Sequence, residues 1–277
     1  MRYDKMQIKI GNFEITEVWD RVFYKKLSNF PNITDWEIRT ILDFMDYEKS
    51  NGRPIEIDEI QCDNPQILQI IENAASNKSY YQNIYPPKKI TECTACPTLK
   101  GCMTKFVLHT ASVENAIKIF SCGKLLSAVN ARKLPAYILE AEARNAANDP
   151  QDYFDYIMFS WGNCQAGDRL VMERKLNRFP DEKDLSIDFT PGVRFYFEYD
   201  KIIKHPQATF DGVLPLKIKD ELILADYIFA VIIPQTEESL LLPYIPKDLE
   251  NKVHFIKNDC HDIWEWTEKV YHYLEKL

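Results

Sequence analysis

The sequence predicts an α+β protein. It divides into a helical N-terminal region over residues 1–88, a cysteine-rich connector over 89–105 and a strand-rich domain over 106–277. Three observations carry that expectation. Capped helical stripes crowd the first third, β-branched and aromatic runs alternate with helical patterns from Phe106 onward, and cysteines gather beside prolines between them.

The helices are read from their ends and stripes. Thr34 stands as N-cap before DWEIRTILDFMDYEKSNG, where Trp36, Ile38, Ile41, Leu42 and Phe44 make an apolar face that stops near Gly52. Asn64 as cap and Pro65 at the first helical position open a second helix carrying Ile67, Leu68, Ile70 and Ile71. Beyond the connector, FVLHT, DYIMFSW, VRFYFEYD, GVLPLKI and YIFAVIIP read as strands bounded by Asn, Asp, Gly or Pro. Ser112 caps a helix with Val113, Ala116, Ile117 and Phe120 at i, i+3, i+4 and i+7, and Gly123 is suited to its left-handed end. A turn-rich stretch after Pro234 leads to a strand, KVHFIK, and a terminal helix, DIWEWTEKVYHYLEKL.

With 277 residues, 45% of them hydrophobic, the chain can build a substantial core. The net charge of −8 gives no overall attraction to phosphate backbones, which leaves only a local basic groove for nucleic acid. No apolar run reaches the roughly 18 residues of a membrane span, and the opening MRYDKMQIKIGNFEITE lacks a signal-peptide core. The expectation is a cytoplasmic protein with no membrane partner. Seven cysteines in such a compartment read as thiols or metal ligands.

Cys93-x2-Cys96-x5-Cys102 is a compact array of three thiols in a loop containing Pro and Gly. Thiolates so spaced can converge on one Zn²⁺, with Cys62 the first choice of fourth ligand and Cys122 the reserve. A [4Fe–4S] cluster uses the same donors. Cys164 and Cys260 are scattered and receive no role.

His109 and Thr110 end a strand that runs straight into a helix, so their side chains reach a cleft, where a neutral imidazole can bind a ribose hydroxyl. The segment FVLHTASVENAIKIFSCGKLLSAVN resembles the opening of the ADP-ribosyltransferase superfamily, most of all DarT-like bacterial enzymes that modify nucleic acid. The matching positions are His109, Thr110, Asn115, Gly123, Leu126 and Ser127, and the likeness extends over Phe106 to Pro234. The resemblance implies a split β-sheet and NAD as substrate, with His109, Thr110 and Asn115 holding it. Glu221 takes the final motif position, steadying the charge that grows as nicotinamide leaves. Such a charge about 4 Å away at an effective dielectric of about 20 attracts by about 4 kcal/mol. Felt only in the transition state, that is about a thousandfold in rate.

The middle motif is open between Ser160, beside the turn Trp161-Gly162-Asn163, and Tyr196, suited to stacking on nicotinamide. Arg132 and Tyr137 are candidates for a substrate loop, and Arg169 and Arg174 for a phosphate contact. Lys219 stands where arginine-modifying protein transferases carry a second acid, and the cysteine cluster is a further departure. The implied function is mono-ADP-ribosyl transfer to a nucleic-acid or protein acceptor, in a toxin or phage-defence effector with a cognate antitoxin as partner. The competing expectation is a Zn- or Fe–S-stabilised binding protein with a degenerate transferase fold and no turnover.

Overall fold

The computed structural model describes residues 6–90, 101–142 and 151–277. Its first third is a small α/β module. Strands β1 (Gln7–Gly11), β2 (Glu17–Trp19), β3 (Val22–Lys26) and β4 (Ile60–Cys62) form a sheet in the order β2-β3-β1-β4. β1 lies parallel to β3 and β4, while β2 and β3 form a hairpin. Asp20 and Arg21 at its turn both hold positive φ, which matches the right-handed twist of the strands.

Helix α1 (Asp35–Ser50) begins at a reciprocal cap: Thr34 Oγ1 accepts the Glu37 N–H, and the Glu37 carboxylate accepts the Thr34 N–H at 2.8 Å. Helices α2 (Pro65–Ala75) and α3 (Lys78–Tyr81) follow. Ile38, Ile41 and Phe44 of α1 and Ile67 and Ile71 of α2 pack on Ile8, Ile10 and Phe23. The expected helical region is therefore corrected to helices on a sheet. Its strands have three to five residues each, too short for a period-two pattern to stand out beside the helical stripes.

Strands β5 (Lys89–Ile90) and β6 (Cys102–Met103) pair across the connector. Then come β7 (Phe106–Ala111), α4 (Val113–Cys122), β8 (Lys124–Leu126), α5 (Ala128–Arg132) and α6 (Ala136–Glu142). They are followed by β9 (Tyr156–Trp161), α7 (Ala166–Leu176), β10 (Val193–Glu198), α8 (Tyr199–Ile202) and β11 (Ala208–Thr209). The chain continues through β12 (Leu216–Lys219), β13 (Glu221–Ile223), α9 (Leu224–Tyr227) and β14 (Ile228–Pro234). It ends with α10 (Glu238–Leu241), β15 (Val253–Ile256) and α11 (Ile263–Leu274).

Seven of these strands form one mixed sheet in the order β11-β12-β9-β7-β10-β14-β15, in which only β14 and β15 are parallel; β8 and β13 pair apart from it. This sheet is two wings with a narrow seam. β7 meets β9 through two residue pairs, Val107–Trp161 and Leu108–Ser160, whereas β7 and β10 pair from Phe106 to Ala111. On one face, Phe120 of α4, Leu125 of β8 and Leu222 of β13 cover Phe159, Phe195 and Phe197. On the other, Met172 of α7 and Trp266 and Val270 of α11 cover Leu108, Tyr196 and Ile232.

The N-terminal module rests on the β11–β12 wing. A Cβ at Gly212 (φ +76°) would stand 2.0 Å from the Thr40 carbonyl oxygen, so α1 approaches this loop at a distance only glycine permits. Beside it Trp36 stacks on Phe210 at 5.1 Å, with the Arg39 guanidinium over both rings.

Candidate active site at the seam of the sheet

Where β7 and β9 part, a side chain replaces the ladder. His109 Nδ1 lies 3.1 Å from the Met158 carbonyl oxygen. A carbonyl only accepts, so Nδ1 carries the proton and Nε2 keeps a lone pair. Burial holds the imidazole below the ordinary histidine range; the Met158 bond opposes this and the Arg174 cation adds to it. The ring is thus neutral at pH 7, an acceptor directed from β7 and braced edge-on by Phe159 at 6.1 Å.

Thr110 points to the opposite face, as strand alternation requires. Its hydroxyl is buried and finds no partner among the described residues. It is wedged against the start of α7, where a Cβ on Gly167 would lie 2.4 Å from Oγ1. Next to that glycine, buried Asp168 accepts from Arg194 Nη2 at 2.7 Å and from the Gly192 N–H at 2.9 Å. Arg194 also donates to the Tyr196 hydroxyl at 3.2 Å and to Thr267 Oγ1 at 2.6 Å.

That network decides Tyr196. The residue is 0% exposed, packed in the core under α11 with its hydroxyl taken by Arg194. No ring face is open to a nicotinamide, which corrects the stacking role and makes this tyrosine a core residue. Ser160 pairs with Leu108, so it shares the α7 face with Thr110 and Tyr196 and is half-buried. Asn115 is exposed in the first turn of α4, its N–H donating to the Ser112 cap at 3.3 Å.

Glu221 stands on the same side of the sheet as His109. β13 pairs with β8 so that Glu221 faces Leu126; Leu222 and Leu125 turn into the core and the carboxylate turns out. The backbone beside it is tied down, because the Asp220 carbonyl accepts from the Ser127 N–H at 2.8 Å and from Asn130 Nδ2 at 3.3 Å. Glu221 Oε1 accepts from Lys124 Nζ at 2.8 Å, with the two side chains 45% and 37% exposed. Leu126, Val129, Asn130, Lys133 and Pro135 extend this corner into an open groove of about 510 Å³. Tyr137, farther along α6, is exposed. Among the described residues, no hydrogen bond or ion pair joins Glu221 to His109, Thr110 or Ser160.

The cysteines divide differently. Cys93 and Cys96 lie outside the described residues, and Cys102 is on β6. Cys62, on β4, packs against the N-terminal core, and burial raises its thiol pKa. Among the described residues, no three potential ligands are grouped for a metal ion, and no helix is long and apolar enough to cross a membrane.

Sequence reasoning missed a second charged centre. Lys217 sits between Leu216 and Ile218 of β12, where alternation sends it away from their core and toward solvent. Instead it is fully buried, with Nζ 2.8 Å from Asp211 Oδ2 and over the rings of Tyr47 at 3.5 Å, Tyr153 at 4.0 Å and Tyr156 at 5.0 Å. Tyr47 donates to Asp152, which also accepts from Arg53. The centre joins α1 to the strand that ends beside Glu221. The cluster DYFDY over 152–156 is its one sequence signal.

Comparison of the chain with protein-family models, curated proteins and solved structures finds no match.

Proposed function

We propose that the chain is an NAD-dependent mono-ADP-ribosyltransferase that passes ADP-ribose to a nucleic-acid or protein acceptor and releases nicotinamide. The observation that carries this reading is the pairing of two distant stretches, Leu126 with Glu221 and Ser127 with Asp220, on the sheet face from which His109 points. In the reaction, the bond between the ribose anomeric carbon and the nicotinamide nitrogen breaks, and its electron pair leaves with nicotinamide. The sugar becomes oxocarbenium-like, as in glycoside cleavage. Glu221 accepts the 2′-hydroxyl of that ribose and stabilises the growing charge; His109 Nε2 accepts a second hydroxyl. The acceptor attacks from the opposite face and gives up a proton. Lys124 shares the carboxylate in the resting protein and swings aside, which its partial exposure permits. This activity fits a toxin or phage-defence effector, with a cognate antitoxin as partner.

The test is nicotinamide release from NAD by wild type and Glu221→Gln, with single-stranded nucleic acid, duplex and protein offered as acceptors. The expected result is release by wild type that falls about a thousandfold in the variant, with label on one acceptor. Absence of release from wild type with every acceptor sinks the proposal. A second reading, a binding protein with a degenerate transferase fold, draws on the ion-paired Glu221 and the core-bound Tyr196. It expects no release from either form.

A further inference from the structure

Three hydrogen bonds fix the turn that presents Glu221, and one of them leads back to Lys217. Asp220 takes the left-handed φ of +63° that a short polar residue tolerates at a turn, and so carries the chain out of β12. Its carbonyl accepts from Ser127 and Asn130, and its N–H donates to the Asp155 carbonyl at 2.9 Å. Asp155 ends the short helical turn that runs into β9. Its position therefore decides where Asp220 sits, and with it the next residue, Glu221.

The segment that carries Asp155 is fastened from the reverse face of the sheet. Lys217 pairs with Met158 and Lys219 with Tyr156, so these side chains leave the sheet on the side away from the core of Leu216 and Ile218. There the Lys217 ammonium is fully buried between Asp211 Oδ2 at 2.8 Å and the rings of Tyr153, Tyr156 and Tyr47. Tyr153 and Tyr156 flank Asp155 in the chain. Asp152, a few residues earlier, accepts from Tyr47 of α1 and from Arg53 at 3.1 Å, and Arg53 is itself held by Glu48 at 2.5 Å. The β11–β12–β9 wing has need of such a fastening, because it joins β7 through only two residue pairs.

We propose that Lys217 is a positioning residue, which from the reverse face of the sheet fixes the turn that presents the Glu221 carboxylate. Being fully buried, it does not touch substrate; it acts through the Asp155–Asp220 hydrogen bond. Without the ammonium, the Asp211 and Asp152 carboxylates and three electron-rich ring faces confront one another, and the segment between them relaxes. A displacement of about 1 Å at a reacting group costs about a hundredfold in rate. The catalytic consequence rests on the NAD reading; the hold on the turn does not.

The test compares full-length wild type, Lys217→Met and Val270→Ala, a truncation in the core beneath α11, at a temperature where circular dichroism shows all three folded. Amide hydrogen exchange, read by mass spectrometry on peptides 124–128 and 219–223, reports the grip on the turn. It is expected to quicken by about tenfold or more in Lys217→Met while β10 and β14 stay protected, and to hold the wild-type rate in Val270→Ala. In nicotinamide release, Lys217→Met should lose about ten- to a hundredfold, carried by kcat rather than KM, whereas Val270→Ala keeps both. If Lys217→Met does not fold, Asp211→Asn gives the same comparison, since its Oδ1 can still accept from Val213 and Leu214. Unchanged exchange in both peptides, or a rise equal across the whole sheet, overturns the proposal. So does an unaltered kcat where wild type releases nicotinamide. A wild type that releases none sinks the NAD reading, and exchange alone then decides whether Lys217 holds the turn.

Discussion

Lys217 Nζ lies 2.8 Å from Asp211 Oδ2, with both side chains fully removed from water. Asp211 is otherwise satisfied by the Val213 and Leu214 N–H groups at 3.0 and 2.7 Å and by the Tyr153 hydroxyl at 3.1 Å. Burial depresses the Lys217 pKa, and the Asp211 carboxylate opposes that shift. The Asp152 and Glu48 carboxylates act in the same direction, and three tyrosine faces add to the stabilisation of the cation. Because Tyr47 belongs to α1 and Lys217 to β12, one ammonium ties the N-terminal module to the strand preceding Glu221.

Removing one member of a buried pair leaves its partner charged and desolvated. Lys217→Met is expected to destabilise the protein by about 3–5 kcal/mol, and Lys217→Met with Asp211→Asn to recover part of that loss. Urea denaturation of the two single variants and the double variant measures the coupling. A Lys217→Met variant as stable as wild type would mean that the tyrosines hold the centre without the charge.

His109 gives the stability curve a pH-dependent step. Burial lowers its folded pKa beneath the ordinary value of 6.5, so the unfolded chain takes up the proton first as pH falls. Its contribution is therefore present above that value and is lost as pH drops through the folded pKa. Thermal melts of wild type and His109→Gln between pH 8 and pH 5 should converge toward the acid end. His205 and His254, also lowered by burial, remain in both proteins and cancel. Melting curves that stay parallel throughout the range would refute a buried neutral ring.

The unpartnered Thr110 hydroxyl separates packing from binding. Thr110→Val keeps the shape while removing a buried polar atom, so folding stability should hold or rise by up to about 1 kcal/mol. Because the hydroxyl is buried against α7 on the face opposite His109, the KM for NAD should stay unchanged in the same variant. Denaturation and nicotinamide-release kinetics on one preparation give both numbers. A raised KM would instead place the hydroxyl in the NAD site.

Lys124 and Glu221 are an accessible pair, and accessible pairs contribute little. Lys124→Gln is expected to change stability by less than about 1 kcal/mol and to raise nicotinamide release several-fold by leaving the carboxylate unshared. A drop in release would instead assign Lys124 to NAD binding.

What was legible in the sequence was local. Thr34, Asn64 and Ser112 cap helices within three residues of themselves, and Gly123 takes φ +69° directly after α4. The runs FVLHT and VRFYFEYD carry their strand preference in their own side chains. The N-terminal sheet escaped notice because β1 and β4 are short and meet across some fifty residues, so their pairing leaves no local trace. Tyr196 was ambiguous for the same reason: an aromatic residue on a strand reads alike whether its ring meets a cleft or α11.

By itself, the sequence determined the capped helices, the principal strands of the second sheet, and the two stretches around His109 and Glu221. Period, capping and turn chemistry act over a few residues and are written in order along the chain. Only the tertiary structure decided that β7 and β9 part after Leu108, that the Glu221 strand pairs with Leu126, that Tyr196 is core, and that Asn163 grips the backbone of Gly101 and Met103. Those relations join residues tens of positions apart. They depend on which faces are buried together and which hydrogen bonds remain to be satisfied once they are.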